Sequence, residues 1–85
     1  VEGVLSMRLT NIKVLSPSKL INQNLVSIDL RNNRLSEIPD DITLQGNLRE
    51  LKLDYNFLSQ LPENVHKLRS LTYLSMSQNN FKVIP

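Results

Sequence analysis

Leu25-Val26-Ser27-Ile28-Asp29-Leu30-Arg31-Asn32-Asn33-Arg34-Leu35-Ser36-Glu37-Ile38-Pro39 decides how this chain is read. Ser27 to Leu30 alternates polar and apolar, the period of a half-buried strand. The alternation then breaks at an Asn, and an Ile-Pro pair closes the stretch. The same stretch returns: Ile38-Pro39, Leu61-Pro62 and Ile84-Pro85 stand 23 positions apart. So do Asn33, Asn56 and Asn79, and Leu25, Leu48 and Leu71. Ile28, Leu51 and Leu74 keep the step, as do Leu30, Leu53 and Met76, and Leu35, Leu58 and Phe81. Internal repetition on this scale sets the architecture before any local propensity does. Carried backwards, the register meets Leu5, Met7, Thr10, Ile12 and Leu15, a degenerate first unit. The units are 2–24, 25–47, 48–70 and a shorter 71–85, one array that reads as an excerpt of a longer chain.

One short strand cannot bury its apolar side alone, but identical units stacked side by side form a parallel sheet over a continuous core. The path back begins at Pro39 or Pro62, whose fixed φ suits the first turn of a short helix. Asp40, Asp41 and Glu63 fall where a helix N-terminus favours negative charge, and Lys67 and Arg69 lie toward the far end. Ile42, Val65 and Leu68 turn that segment's apolar side inward. The expectation is an α/β solenoid, a right-handed coil with strands on its concave face and short helical or 3-10 segments on its convex face.

The pattern Leu25-x-x-Ile28-x-Leu30-x-x-Asn33-x-Leu35-x-x-Ile38-Pro39-x-x-Ile42 resembles the leucine-rich repeat. Within that family it is similar to the 23-residue intracellular class, found in Ras-pathway scaffolds, Scribble-like polarity proteins, plant Ras-group repeat proteins and fungal adenylyl cyclase. The resemblance implies a non-catalytic segment that binds a protein on its concave face, within a larger cytoplasmic or nuclear scaffold or adaptor. Two other settings fit the pattern: a regulatory array in a multidomain signalling enzyme (cyclase, kinase or phosphatase), and an extracellular receptor ectodomain.

Composition narrows the chemistry. Ten basic against eight acidic residues give a net charge of +2, too small an excess to point to nucleic acid or an anionic membrane. No apolar run approaches the roughly 20 residues of a membrane helix. Cysteine is absent, which removes disulfides and thiolate metal sites, and no Asn-x-Ser/Thr acceptor occurs; both lean toward an intracellular setting. His66 stands alone beside Val65 on the expected helical side and reads as a solvated residue. With glycine only at positions 3 and 46 there is no phosphate loop. No catalytic residue, cofactor, metal or small-molecule ligand is expected.

The column Asn33, Asn56, Asn79 reads as structural, each amide turning into the bend after its strand to satisfy buried backbone groups. In the first unit Thr10 holds this column with only a hydroxyl, Ser16 stands where Pro is expected, and Lys19 replaces an apolar residue with Leu20 next to it. That unit is expected to be a cap or a distorted turn. The strand positions facing away from the core form four columns. These are Val4, Ser27, Glu50, Tyr73; Ser6, Asp29, Lys52, Ser75; Arg8, Arg31, Asp54, Ser77; and Leu9, Asn32, Tyr55, Gln78. With strands about 4.8 Å apart, Asp29 is expected to meet Lys52 and Arg31 to meet Asp54. Such a neutral, mixed face with two tyrosines suits a protein rather than a nucleic-acid backbone. Phe57 has no core slot, because Leu58 fills that column, so Tyr55, Phe57 and Tyr73 are expected to form an exposed aromatic cluster. The candidate partner-binding residues are therefore Asp29, Arg31, Glu50, Lys52, Asp54, Tyr55, Phe57 and Tyr73.

Overall fold

Each unit contributes one three-residue strand: β1 at Val4–Ser6, β2 at Ser27–Asp29, β3 at Glu50–Lys52 and β4 at Tyr73–Ser75. In this computed structural model, which describes residues 3–20 and 24–81, the strands form a four-stranded sheet in chain order. Every pair is parallel and in repeat register, so Leu5 aligns with Ile28, Ile28 with Leu51, and Leu51 with Leu74. Backbone hydrogen bonds continue past the strand ends, with Met7 N–H reaching Asp29 O, Leu30 N–H reaching Lys52 O and Leu53 N–H reaching Ser75 O.

The apolar columns stack behind the sheet. Ile28, Leu30, Leu35, Ile42, Leu48, Leu51, Leu53 and Leu58 are fully buried, and Leu5, Met7, Leu61, Val65, Leu71, Met76 and Phe81 pack against them half-buried. Burying one such aliphatic side chain contributes about 1.5–3 kcal/mol, so repetition of the column sums into a core that no single unit could build.

The return paths are 3-10 helices at Pro17–Lys19, Asp40–Leu44 and Val65–Lys67. Pro39 caps the second, and Asp40 and Asp41 occupy its first turn, as the charge pattern leads one to expect. Pro62 departs from expectation. It opens a turn, its carbonyl accepting Val65 N–H at 3.1 Å, and the helix starts only at Val65. Glu63 therefore precedes the helix rather than facing its N-terminus, while Lys67 lies in its last turn.

The first unit keeps the strand register of the others, but Asn11 adds a left-handed φ of 60° that no equivalent position shares. Pro17 opens its helix with Ser16 as the cap, and Leu20 is buried, filling the core beside the Lys19 position. Gln45, in the column where Leu68 is apolar, is buried too and donates its amide to Leu20 O at 2.9 Å. The Ile84-Pro85 repeat of the motif lies outside the described residues.

Candidate functional site

The asparagine column is the frame on which the open sheet face rests. Asn33 Nδ2 donates to Met7 O and Leu30 O, both at 2.9 Å, and its Oδ1 accepts Thr10 N–H, Thr10 Oγ1 and Ile12 N–H. Asn56 repeats this one unit later, donating to Leu30 O and Leu53 O and accepting Leu35 N–H. Asn79 donates to Leu53 O and Met76 O and accepts Leu58 N–H. An amide suits this place because one side chain must donate to two carbonyls and accept a backbone N–H within a bend that burial closes to water. Thr10, with only a hydroxyl, gives it to Met7 O and Asn33.

The residue before each ladder position has a left-handed backbone: Leu9, Asn32, Tyr55 and Gln78 have φ of 60°, 61°, 60° and 57°. This corrects the placement of the fourth column. Its members stand in the bend, not on the strand, because the chain must reverse its twist to aim the following Asn inward. Asn tolerates the left-handed region, whereas a tyrosine pays steric strain of about 1 kcal/mol there. Nothing in the alternation of residues 50–54 announces the bend; Asn32 in the same column is the one signal that marks it.

Charges on the face also pair differently from the lateral expectation. Arg31 grips Asp29 of its own strand, with Nε to Oδ1 at 2.8 Å and Nη2 to Oδ2 at 2.7 Å. It is not bonded to Asp54, and Lys52 forms no ion pair with Asp29. Lys52 instead lies 6.0 Å from the centre of the Tyr73 ring, the outer edge of cation–π range. Glu50 accepts the Ser27 hydroxyl at 3.1 Å. The Arg31 side chain holds the Asp29 carboxyl below the usual carboxylate range, against the opposing effect of burial. Reciprocally, the Asp29 hydrogen bond raises the Arg31 guanidinium.

Asp54 is held from the next unit. Its Oδ1 accepts Ser77 N–H at 2.7 Å and Ser77 Oγ at 2.8 Å. Burial pushes this carboxyl upward, but the serine donors and the Arg31 charge together outweigh it and lower the pKa. Ser75 contributes by proximity alone, since its buried hydroxyl is close enough to favour the carboxylate yet is not in hydrogen-bonding geometry.

The three aromatic side chains are exposed, Tyr55 and Phe57 at 55% and Tyr73 at 51%, but they do not form one cluster. Tyr73 pairs with Glu50 at the start of the strands, while Tyr55 lies five residues beyond Glu50. Tyr73 therefore lies at the start of the strand row and Tyr55 in the bend beyond its end. Phe57 is past the bend, pinned by its N–H to Leu35 O at 2.8 Å. The face thus has two aromatic ends with charged columns between them.

Grooves elsewhere do not include these residues. One of about 450 Å³ is lined by Glu37, Ile38, Gln60, Leu61, Pro62 and Glu63, and one of about 220 Å³ flanks the helix at Asp40–Leu44. Among the described residues no three His, Asp or Glu side chains converge as metal ligands, and no helix is long and apolar enough to cross a membrane. His66 is exposed on the helical side.

Comparison with curated proteins returned no match. The family model for the leucine-rich repeat matches residues 23–81, more than half of the chain and all of β2 to β4. Leucine-rich repeats are a general protein–protein interaction module, and this chain belongs to that family.

Proposed function

We propose that the open sheet face is a docking surface for a protein partner and that the segment is a non-catalytic part of an intracellular scaffold or adaptor. The observation that carries this reading is Tyr55. Its ring is more than half exposed on a left-handed backbone, a conformation that the Asn at the equivalent position adopts at less cost. Strained backbone under an exposed aromatic side chain is a feature that clusters at contact sites. Tyr73 gives the face a second aromatic anchor, and tyrosine is prominent among the few residues that dominate interface energetics. The charges between them, Arg31 with Asp29 and Asp54 with Ser77, are already oriented within the sheet and bring no new ordering cost to a complex. The cytoplasm is the compartment that goes with this reading, through the resemblance to the 23-residue intracellular class.

The test is a photo-reactive amino acid placed at position 73 and, separately, at position 63, followed by binding measurements on whichever protein is captured. Tyr55→Ala and Tyr73→Ala are each expected to weaken that complex by about 2 kcal/mol without unfolding the chain. Glu63→Ala and Lys67→Ala, on the helical side, are expected to leave it unchanged. The reverse pattern would assign the partner to the helical side and end this proposal.

A further inference from the structure

Pro17 stands one place later in its repeat than Pro39 and Pro62 do in theirs. Those two follow the core column directly, after Ile38 and Leu61, whereas the first unit buries Leu15 in that column and places Ser16 before its proline. No other serine or threonine of the chain precedes a proline. Ser16, Pro17 and Ser18 are exposed, between the buried anchors Leu15 and Leu20. Ser16 has an extended backbone, φ −68° and ψ 130°, the conformation that a following proline favours. Its hydroxyl lies 2.9 Å from the Ser18 hydroxyl and accepts Ser18 N–H at a long 3.4 Å, so it is only loosely held. Lys19 follows three residues after Ser16 in the sequence.

We infer that Ser16 is a phosphorylation site for a proline-directed protein kinase that also reads a basic residue three places after the serine. Proline after the acceptor has no N–H, so an apolar kinase pocket takes its ring, while any other residue there would leave a donor unpaired. Lys19 offers its charge to an anionic subsite of the kinase. A kinase cleft holds its substrate extended, and Ser16 already is. The turn at Pro17–Lys19 makes no strand pairing, so it can unwind without opening the sheet. In the reaction the Ser16 hydroxyl oxygen bonds to the γ-phosphorus of a nucleoside triphosphate. The bond from that phosphorus to the bridging oxygen breaks, the hydroxyl proton passes to the kinase's base, and the nucleoside diphosphate leaves. The product alters the charge of the return-path side. Asp40 and Asp41 open the second 3-10 helix and Glu63 follows Pro62, whereas the first helix has no acidic residue in its opening turn. A phosphate at Ser16 adds about 1.5–2 negative charges and extends that acidic side across the first unit.

The experiment incubates the 85-residue chain with magnesium ATP and a purified proline-directed kinase of this specificity, and maps phosphate by tandem mass spectrometry. One phosphate on Ser16 is expected, with Ser16→Ala unmodified and Ser18→Ala modified as readily as the parent. Pro17→Ala and Lys19→Ala should each lower the kcat/KM of phosphorylation at least about tenfold, the discrimination that one pocket contact supplies. Ser16, Pro17 and Ser18 are exposed, so replacing them leaves the core in place, and circular dichroism of each variant checks this. Phosphate on another residue in place of Ser16, or an unchanged rate on Pro17→Ala, would overturn the inference. So would a folded chain that stays unmodified, whether or not a synthetic peptide of residues 10–23 is phosphorylated.

Discussion

Asn56 Nδ2 donates to the carbonyl of Leu30, 26 residues earlier in the chain, at 2.9 Å, and so joins the bend of one repeat to the strand end of the one before. The same amide donates to Leu53 O within its own repeat, and its oxygen accepts Leu35 N–H. A single side chain thus holds backbone groups of two repeats in place of the water that burial excludes.

Removing it should be costly in proportion to that exclusion. Asn56 is buried, whereas Asn79, with an equivalent set of bonds, is half-buried and open to replacement by water. Asn56→Ala is therefore expected to destabilise the chain by about 1–3 kcal/mol, and Asn79→Ala by distinctly less. Urea denaturation of the two variants measures the difference. Equal losses would show that burial does not set the value of the ladder.

Acid should act on the sheet face through its carboxylates. Asp29 and Asp54 both titrate below their ordinary value of 3.8 in the folded chain. The unfolded chain then binds more protons as pH falls toward that value, so their contribution is complete well above it and is lost as pH falls through the folded values. Between about pH 6 and pH 3, the stability of Asp29→Asn should fall less steeply than that of the parent. Asparagine keeps one acceptor for Arg31 but cannot titrate. Parallel stability–pH curves would remove Asp29 from the acid response.

The edge of the sheet makes a separate prediction about local opening. Met7, Leu30 and Leu53 N–H groups each donate to the following strand, at Asp29 O, Lys52 O and Ser75 O. Met76, the next in that column, has no such acceptor among the described residues, and Leu74 in β4 is 36% exposed where Ile28 in β2 is 0%. Amide exchange at Met76 should be at least ~100-fold faster than at Leu30, the contrast expected between fraying and core positions. Similar protection at both would mean that β4 opens only with the whole sheet.

What the sequence makes legible is whatever recurs. Ile28, Leu51 and Leu74 announce a common strand register because each must bury the same way, and Asn33, Asn56 and Asn79 announce the ladder because an amide offers two N–H donors and a carbonyl acceptor in one short side chain. What it leaves open is settled by geometry within a repeat. Arg31 is long enough to reach Asp29 along its strand or Asp54 across it, and only the structure selects the first. Gln45 looks like an interruption of an apolar column until Leu20 O is seen to require its amide. Tyr73 and Tyr55 count as neighbours by repeat number, yet strand length separates them.

Tyr55 carries the last prediction, because its backbone and its exposed ring make opposite demands. The backbone at φ 60° disfavours any residue with a bulky Cβ substituent, and the cost for a tyrosine is about 1 kcal/mol. The ring is 55% exposed, so more than half of it stays in water. Asparagine, which occupies the equivalent position 32 at φ 61°, fits the conformation through its short polar side chain. Tyr55→Asn is therefore expected to stabilise the fold by about 0.5–1 kcal/mol. Tyr55→Val, β-branched and stiff at χ1, should destabilise it by about 1 kcal/mol. Urea midpoints for the two variants, with unchanged m-values, separate these outcomes. If Tyr55→Asn also weakens binding at the sheet face, the tyrosine exchanges stability for contact, as residues at functional sites often do. If it leaves stability unchanged or lowers it, the ring has a packing role in the fold and the argument from strain fails.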